Sequence, residues 1–191
     1  MNNIVLDVDG VILDFSTNFI NWFNDKFKKE INDNKYPKLS FDPHKYNFDY
    51  DETYPADFFD QIQEYVDMQP ELPLIDKLFP LLTNLLHDKY NVHIISAYPH
   101  LDSRIANLNK FGIKYKTITC NIHDKLPLIK KLQPLFVIED HPEMIKQLSS
   151  ENIKCYAPLL NYTSNLSKLP HVQIYTNVSQ LIDVFFTESL I

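Results

Sequence analysis

The stretch Ile4-Val5-Leu6-Asp7-Val8-Asp9-Gly10 decides the reading of this chain. A short unbroken apolar run is what a strand buried on both faces of a parallel sheet requires, and ligands of open α/β sheets gather just beyond the carboxyl ends of such strands. The run thus delivers two carboxylates, Asp7 and Asp9, to the place where chemistry occurs, followed by one of only two glycines in the sequence.

Working outward, two further apolar runs end in polar residues: Val92 to Ile95 before Ser96, and Leu135 to Ile138 before Glu139-Asp140. Each is followed by helical spacing, the βαβ pattern of a parallel sheet with right-handed crossovers. Fainter strands are expected at Tyr115 to Cys120, Ile153 to Tyr156 and Val172 to Tyr175, for five or six in all. In the helix after Ser96, Asp102 or Ser103 is placed to cap the start and Gly112 to take the left-handed position past the end. Ile105, Leu108 and Phe111 share a face, so this reads as a crossover helix and not a site. Arg104, the only arginine, is expected on the surface, paired with a neighbouring acid, the other reading being contact with a substrate anion.

Between Asp14 and about Pro73 the alternation with strands stops. Phe15, Phe19, Trp22, Phe23 and Phe27 recur at three- and four-residue steps, which marks an amphipathic helix. Asp14 either caps that helix or hydrogen-bonds the turn before it. A second helix is expected over Ala56 to Met68, and Tyr36 to Pro55, with its prolines, reads as an ordered loop without regular structure. Leu74 to Leu86 returns as a helix in which Pro80 is a kink or a break. The expected organisation is a core of residues 1–14 and 74–191 with a helical cap, residues 15–73, inserted after the first strand.

At 191 residues the chain accommodates one core and a small insert. A net charge of −7 argues against a nucleic-acid polymer as partner, because phosphate-tracking surfaces need clustered Lys and Arg. Cys120 and Cys155 lack CxxC spacing and read as small buried hydrophobes, in keeping with a reducing cytoplasm. No apolar run approaches the roughly 18 residues of a membrane span, and the start has no basic leader, so a soluble, untargeted protein, monomer or homodimer, is expected. His93, His123 and His141 have no partner at metal-binding spacing, and no zinc is expected.

If the three strong strands are parallel, Asp7, Asp9, Ser96, Glu139 and Asp140 converge on one edge of the sheet. Four crowded carboxylates raise one another's pKa and cannot all stay ionised without a cation. A hard divalent ion answers this, and Mg²⁺ suits a site that offers one or two carboxylates and leaves room for water and phosphate oxygens. Three lysines compete for the role of counter-cation. Lys125 lies in the first turn of a helix that Asp124 could cap, with Pro127 behind it, whereas Lys130 and Lys131 sit about 7 to 9 Å further along at ~1.5 Å per residue.

Asp7-Val8-Asp9-Gly10-Val11-Ile12-Leu13-Asp14 resembles the first motif of the haloacid dehalogenase (HAD) superfamily of phosphatases. Ser96 after Val92-His93-Ile94-Ile95 resembles its second motif, Lys125 its third, and Glu139-Asp140 after Phe136-Val137-Ile138 its fourth. One DxDG is a weak signal; four motifs in order, each in the right strand context, are a strong one. The resemblance implies an α/β three-layer sandwich of HAD-like Rossmannoid type and a Mg²⁺-dependent phosphomonoester hydrolase. Asp7 would be the nucleophile that forms an aspartyl-phosphate, and Asp9 the general acid and then base. Ser96, the Ala97 N–H and Lys125 would bind the phosphoryl oxygens. Asp7, the Asp9 backbone carbonyl and Asp140 would hold Mg²⁺, with Glu139 reaching it through water or orienting Lys125. Gly10 would let the chain turn so that both carboxylates face one substrate.

Within the superfamily, the DVDGVILDF start, the aromatic cap, Tyr98-Pro99, the run from Pro134 to Pro142, and Leu160-Asn161-Tyr162 are similar to the 5'(3')-deoxyribonucleotidase group. That similarity implies a nucleoside monophosphate as substrate, with Phe15 and Phe19, nearest the nucleophile in sequence, stacking on the base. Another small phosphate ester such as a sugar phosphate is the nearest alternative. A dehalogenase proper has no leaving alcohol to protonate, which Asp9 disfavours, and a non-catalytic binding protein of the same fold is disfavoured by the full set of motif residues.

Overall fold

A computed structural model describes residues 1–30 and 60–186, and the backbone of 40–42 and 47–49. In chain order the elements are β1 (Asn3–Leu6), α1 (Phe15–Phe27), β2 (Ser40–Asp42), β3 (Asn47–Asp49), α2 (Gln61–Asp67), α3 (Phe79–Lys89), β4 (Asn91–Ile95), α4 (Leu101–Lys110), β5 (Thr117–Thr119), α5 (Leu126–Leu132), β6 (Val137–Ile138), α6 (Pro142–Ser150), β7 (Cys155–Pro158), a 3₁₀ turn (Ser164–Lys168), β8 (Val172–Tyr175) and α7 (Val178–Phe186).

Six strands form one sheet in the order β5-β4-β1-β6-β7-β8, every neighbouring pair parallel. Alternation along the strands divides the core in two. Ile4, Leu6, Val92, Ile94, Ile138 and Tyr156 face one layer, where α3, α4 and α7 bury Phe79, Leu82, Leu86, Leu108, Leu181 and Phe185. Val5, Ile95, Val137, Cys155 and Ala157 face the other, against Ile129 of α5 and Met144, Ile145 and Leu148 of α6. The result is the expected three-layer sandwich. Strand order reverses direction at β1, with β4 on one side and β6 on the other, so the three strands that carry the acidic and serine motifs lie side by side.

After β1 the chain leaves the sheet and returns through a short stalk. Leu13 bridges Leu74 in antiparallel fashion, the Asp14 N–H bonds the Pro73 carbonyl at 3.0 Å, and the Ile75 N–H bonds the Ile12 carbonyl at 2.9 Å. Between these two runs lies α1, capped by Asp14, whose Oδ1 accepts the Thr17 N–H at 3.1 Å. Lys28 ends α1 with φ +54.

Several element boundaries differ from the sequence expectations. Leu74 to Leu78 is the return stalk and not helix; α3 begins at Phe79, with Pro80 in its first turn, where a missing N–H costs nothing. Neither Asp102 nor Ser103 caps α4, which begins after His100 without a side-chain cap, while Gly112 takes the left-handed conformation as expected (φ +69). Lys125, not Asp124, occupies the N-cap position of α5. The loop expected without regular structure contains the antiparallel pair β2 and β3, and the remainder of Tyr36 to Pro55 lies outside the described residues, as do residues 56–59 of the second expected helix. Both cysteines are free thiols. Among the described residues no helix is long and apolar enough to cross a membrane.

Candidate active site

Asp7 emerges from the buried end of β1, its N–H fixed to the Ile138 carbonyl of β6 at 2.9 Å. Its carboxylate is held at both oxygens: Oδ1 accepts the Val8 N–H at 2.7 Å and Oδ2 faces Lys125 Nζ at 2.7 Å. The same ammonium lies 2.9 Å from Glu139 Oε2. Burial alone would lower the pKa of Lys125, but the two carboxylates outweigh it and the net shift is upward, so the lysine stays charged. Lys130, by contrast, is half exposed and pairs with Glu151 at 2.7 Å. Of the lysines, Lys125 is brought to the carboxylates.

Glu139 is fully engaged. Oε2 meets Lys125, and Oε1 accepts the His141 N–H at 3.0 Å. This is the geometry of a residue that orients Lys125. Asp140 has a different partner, its Oδ2 accepting the Tyr162 hydroxyl at 2.7 Å. Asp7, Glu139 and Asp140 each present a carboxylate oxygen within 4.8 Å of the other two. Burial, then repulsion from Glu139 on Asp7 and from Asp7 on Asp140, pushes both aspartates up to about 7. Hard oxygen donors crowded into a buried pocket, two of them resisting ionisation, fit a divalent cation of the Mg²⁺ type. The cradle is kept open by Gly10: at φ +83, a Cβ placed there would lie 2.1 Å from Asp140 Oδ2. The glycine thus makes room for Asp140 as well as turning the chain.

Asp9 has a partner that the sequence reading did not give it. Arg104 is wholly buried, and its Nη2 and Nε reach Asp9 Oδ1 and Oδ2 at 2.6 and 3.4 Å. The expectation of a surface arginine is therefore wrong, although pairing with an acid is right, and α4 does supply a residue to the site. Leu108 and Arg104 are four residues apart on one face, and helical periodicity alone does not say that a charged residue on that face points inward. Ser96 Oγ also bonds Asp9 Oδ2, at 3.3 Å, and accepts the Tyr98 N–H at 3.0 Å. Burial raises the pKa of Asp9, opposed by Arg104 and reinforced by Asp7.

Two cavities meet at this point. The first, about 570 Å³, is lined by Asp7, Asp9, Ser96, Ala97, Lys125 and Asp140 among others. The second, about 380 Å³, lies between core and α2 and is lined by Phe15, Ile62, Gln63, Tyr98, Asn121 and His123, and again by Asp9 and Ala97. Phe15 lines the wall of this second cavity. Phe19 does not: it is 3% exposed and packs on Phe15, Trp22, Phe23 and Tyr65, an anchor of the α1–α2 core. Tyr98, Tyr162 and His123 stand at the site although residue spacing assigns none of them a role there, and Tyr162 follows Asp140 by too many residues for a spacing rule to link them.

The sheet order, the acidic edge and the insertion after β1 define a HAD-like Rossmannoid fold. A protein provisionally named a phosphoglycolate phosphatase, from Lactobacillus delbrueckii subsp. bulgaricus, superposes with a TM-score of 0.64 at 13% identity, over 96% of this chain and 97% of that one. CbbY from Rhodobacter sphaeroides, in complex with xylulose-1,5-bisphosphate, gives 0.59 at 14% identity over 95% and 96%. YfnB from Bacillus subtilis, provisionally named a HAD hydrolase and bound to magnesium, gives 0.60 at 16% identity over 96% and 97%. At these identities the likeness is one of fold. No family model matches the sequence, and no curated protein matches it.

Proposed function

We propose that the protein is a Mg²⁺-dependent phosphomonoester hydrolase that works through an aspartyl-phosphate on Asp7. The observation that carries this is the Asp7–Lys125 contact of 2.7 Å beside Glu139 and Asp140, with Asp9 at the junction of the two cavities. The phosphoryl group occupies the larger cavity and the leaving group the smaller, which puts the bridging oxygen next to Asp9. An Asp7 oxygen forms a bond to phosphorus, the bond from phosphorus to the bridging oxygen breaks, and that oxygen takes the proton of Asp9. Water then attacks phosphorus while Asp9 takes its proton, and Asp7 is released as carboxylate. Lys125 neutralises charge on Asp7 and on the phosphoryl oxygens, held to the task by Glu139, and the Ala97 N–H with Ser96 completes the donor set. Asp7, the Asp9 carbonyl and Asp140 would hold Mg²⁺, which screens the negative charge of the phosphoryl group from that of the nucleophile. Residues 15–73 act as a cap on a core of 1–14 and 74–191.

The substrate we favour is a (deoxy)nucleoside monophosphate. Phe15 on the wall of the smaller cavity offers a face for a base, and the Gln63 and Asn121 amides there offer hydrogen bonds to its edge. A sugar phosphate is the second reading, supported by the fold shared with CbbY, whose bound ligand is a sugar bisphosphate, and by the polar side chains of the same wall. Phosphate release is measured with Mg²⁺ over a panel of nucleoside 5'-monophosphates and sugar phosphates, with Asp7→Asn as control. Equal rates across the panel overturn the nucleotidase reading. Equal hydrolysis by wild type and Asp7→Asn overturns the catalytic one and leaves a binding protein.

A further inference from the structure

Arg104 is the one arginine of the chain, and it is spent in the interior. A buried cation needs compensation, and its one ion-pair partner among the described residues is Asp9. The guanidinium approaches side-on, with Nη2 2.6 Å from Oδ1 and Nε 3.4 Å from Oδ2, a fork that fixes the plane of the carboxylate as well as its distance. Its own face is clamped by the Tyr98 ring, 3.4 Å from Cζ, and the Tyr98 hydroxyl is tied to the Val66 carbonyl of α2 at 3.2 Å. The Arg104 side chain is 0% exposed while that of Asp9 is 22% exposed. The arginine therefore stands behind the wall and cannot touch a substrate, whereas Asp9 faces both cavities.

We propose that Arg104 is a positioning residue: it seats the Asp9 carboxylate at the boundary of the two cavities, aimed at the oxygen that leaves phosphorus. This rests on the phosphatase reading above. The step it serves breaks the Asp9 O–H bond and forms an O–H bond on the leaving oxygen as the bond from phosphorus to that oxygen breaks. Proton transfer of this kind depends on sub-ångström placement, which a carboxylate swinging freely about its side-chain torsions does not provide.

The test compares wild type, Arg104→Met and Arg104→Lys with Mg²⁺ on two esters that share a benzene ring. Benzyl phosphate releases an alkoxide that must be protonated as it departs; p-nitrophenyl phosphate releases a phenolate that departs as the anion. Arg104→Met lowers kcat/KM on benzyl phosphate, which reports only the steps through departure of the alcohol, by about tenfold to a hundredfold, at or below the lower end of what a placed proton donor contributes. On p-nitrophenyl phosphate it lowers kcat/KM by less than about threefold, and hydrolysis of the aspartyl-phosphate, in which Asp9 serves both esters alike, does not enter either value. Arg104→Lys, which keeps the charge and loses the fork, falls between. Unfolded protein contributes to neither rate, so the ratio of the two is insensitive to how much of a variant folds. If Arg104→Met yields no folded protein, the Arg104→Lys ratio decides. A ratio unchanged from wild type, both rates falling together, overturns the positioning role and leaves the phosphatase reading standing. If wild type cleaves neither ester but cleaves a nucleotide of the panel, kcat/KM on that nucleotide, whose 5'-oxygen also leaves as an alkoxide, decides, and no fall in Arg104→Met overturns the role; hydrolysis of neither ester and of no panel member overturns the phosphatase reading, and this inference with it.

Discussion

Gly10 and Tyr162 both bear on Asp140 Oδ2, one by lacking a side chain and the other by offering a hydroxyl. Gly10→Ala places a Cβ 2.1 Å from Asp140 Oδ2 at a backbone conformation with φ +83. A non-glycine residue held there costs about 1–3 kcal/mol, and the carboxylate must also give way. The expected outcome is a lower urea midpoint together with weaker Mg²⁺ binding; unchanged values for both would mean that the turn relaxes freely. Tyr162→Phe removes only the hydroxyl that Asp140 accepts at 2.7 Å. Loss of such an orienting bond weakens metal binding by about 10- to 100-fold, so calorimetric titration with Mg²⁺ should show that loss with the fold intact. Equal affinity in the variant would remove Asp140, or Tyr162 as its guide, from the metal site.

At the scale of elements, α4 carries more than its hydrophobic face. Its Asn107 is buried and clamps the chain running from α2 back toward the sheet: Oδ1 accepts the Leu72 N–H and Nδ2 donates to the Leu72 carbonyl, both at 2.8 Å. Asn107→Ala orphans two buried backbone groups at about 1–3 kcal/mol each. The variant should lose roughly 2 kcal/mol or more in denaturant unfolding, and a change within error would show that water replaces the amide. Arg104 and Asn107 also show where the sequence was legible and where it was not. Strand runs such as Ile4 to Leu6 and Val92 to Ile95 declare themselves because burial on both faces of a sheet favours apolar residues, with His93 of the second run admitted by its contacts to Thr117 and Asn3. The residues beyond their ends, Asp7, Ser96 and Glu139-Asp140, inherit a legible position from the parallel topology. A polar side chain on a helix inherits none: Arg104, Asn107 and Lys110 share α4, and only tertiary partners decide that the first two are buried while Lys110 pairs with Glu71 at the surface. The same ambiguity makes Phe15 and Phe19 indistinguishable by spacing, although one lines a cavity and the other anchors a core.

For the molecule as a whole, the reversal of strand order at β1 gathers like charges in one place. β1 and β6 end in Asp7 and in Glu139-Asp140, in a chain of net charge −7 with Lys125 as the cation in direct contact with Asp7 and Glu139. The fold accepts this electrostatic cost at the edge where a phosphate would be handled, and the cost depends on pH. Burial and the neighbouring carboxylates push Asp7 and Asp140 up to about 7 in the folded protein, well above the ordinary 3.8. Between those values the metal-free folded state binds more protons than the unfolded chain, so its stability falls as pH rises through the window. Mg²⁺ competes with those same protons, and its binding strengthens over the range in which the carboxylates lose them. The same millimolar Mg²⁺ concentration should therefore raise the melting temperature of the protein markedly at about pH 8 and little at about pH 5.5, and Asp140→Asn should flatten the difference. Thermal melts with Mg²⁺ and with EDTA across that range check this. A magnesium shift of equal size at both ends would mean that the ion binds away from the buried aspartates.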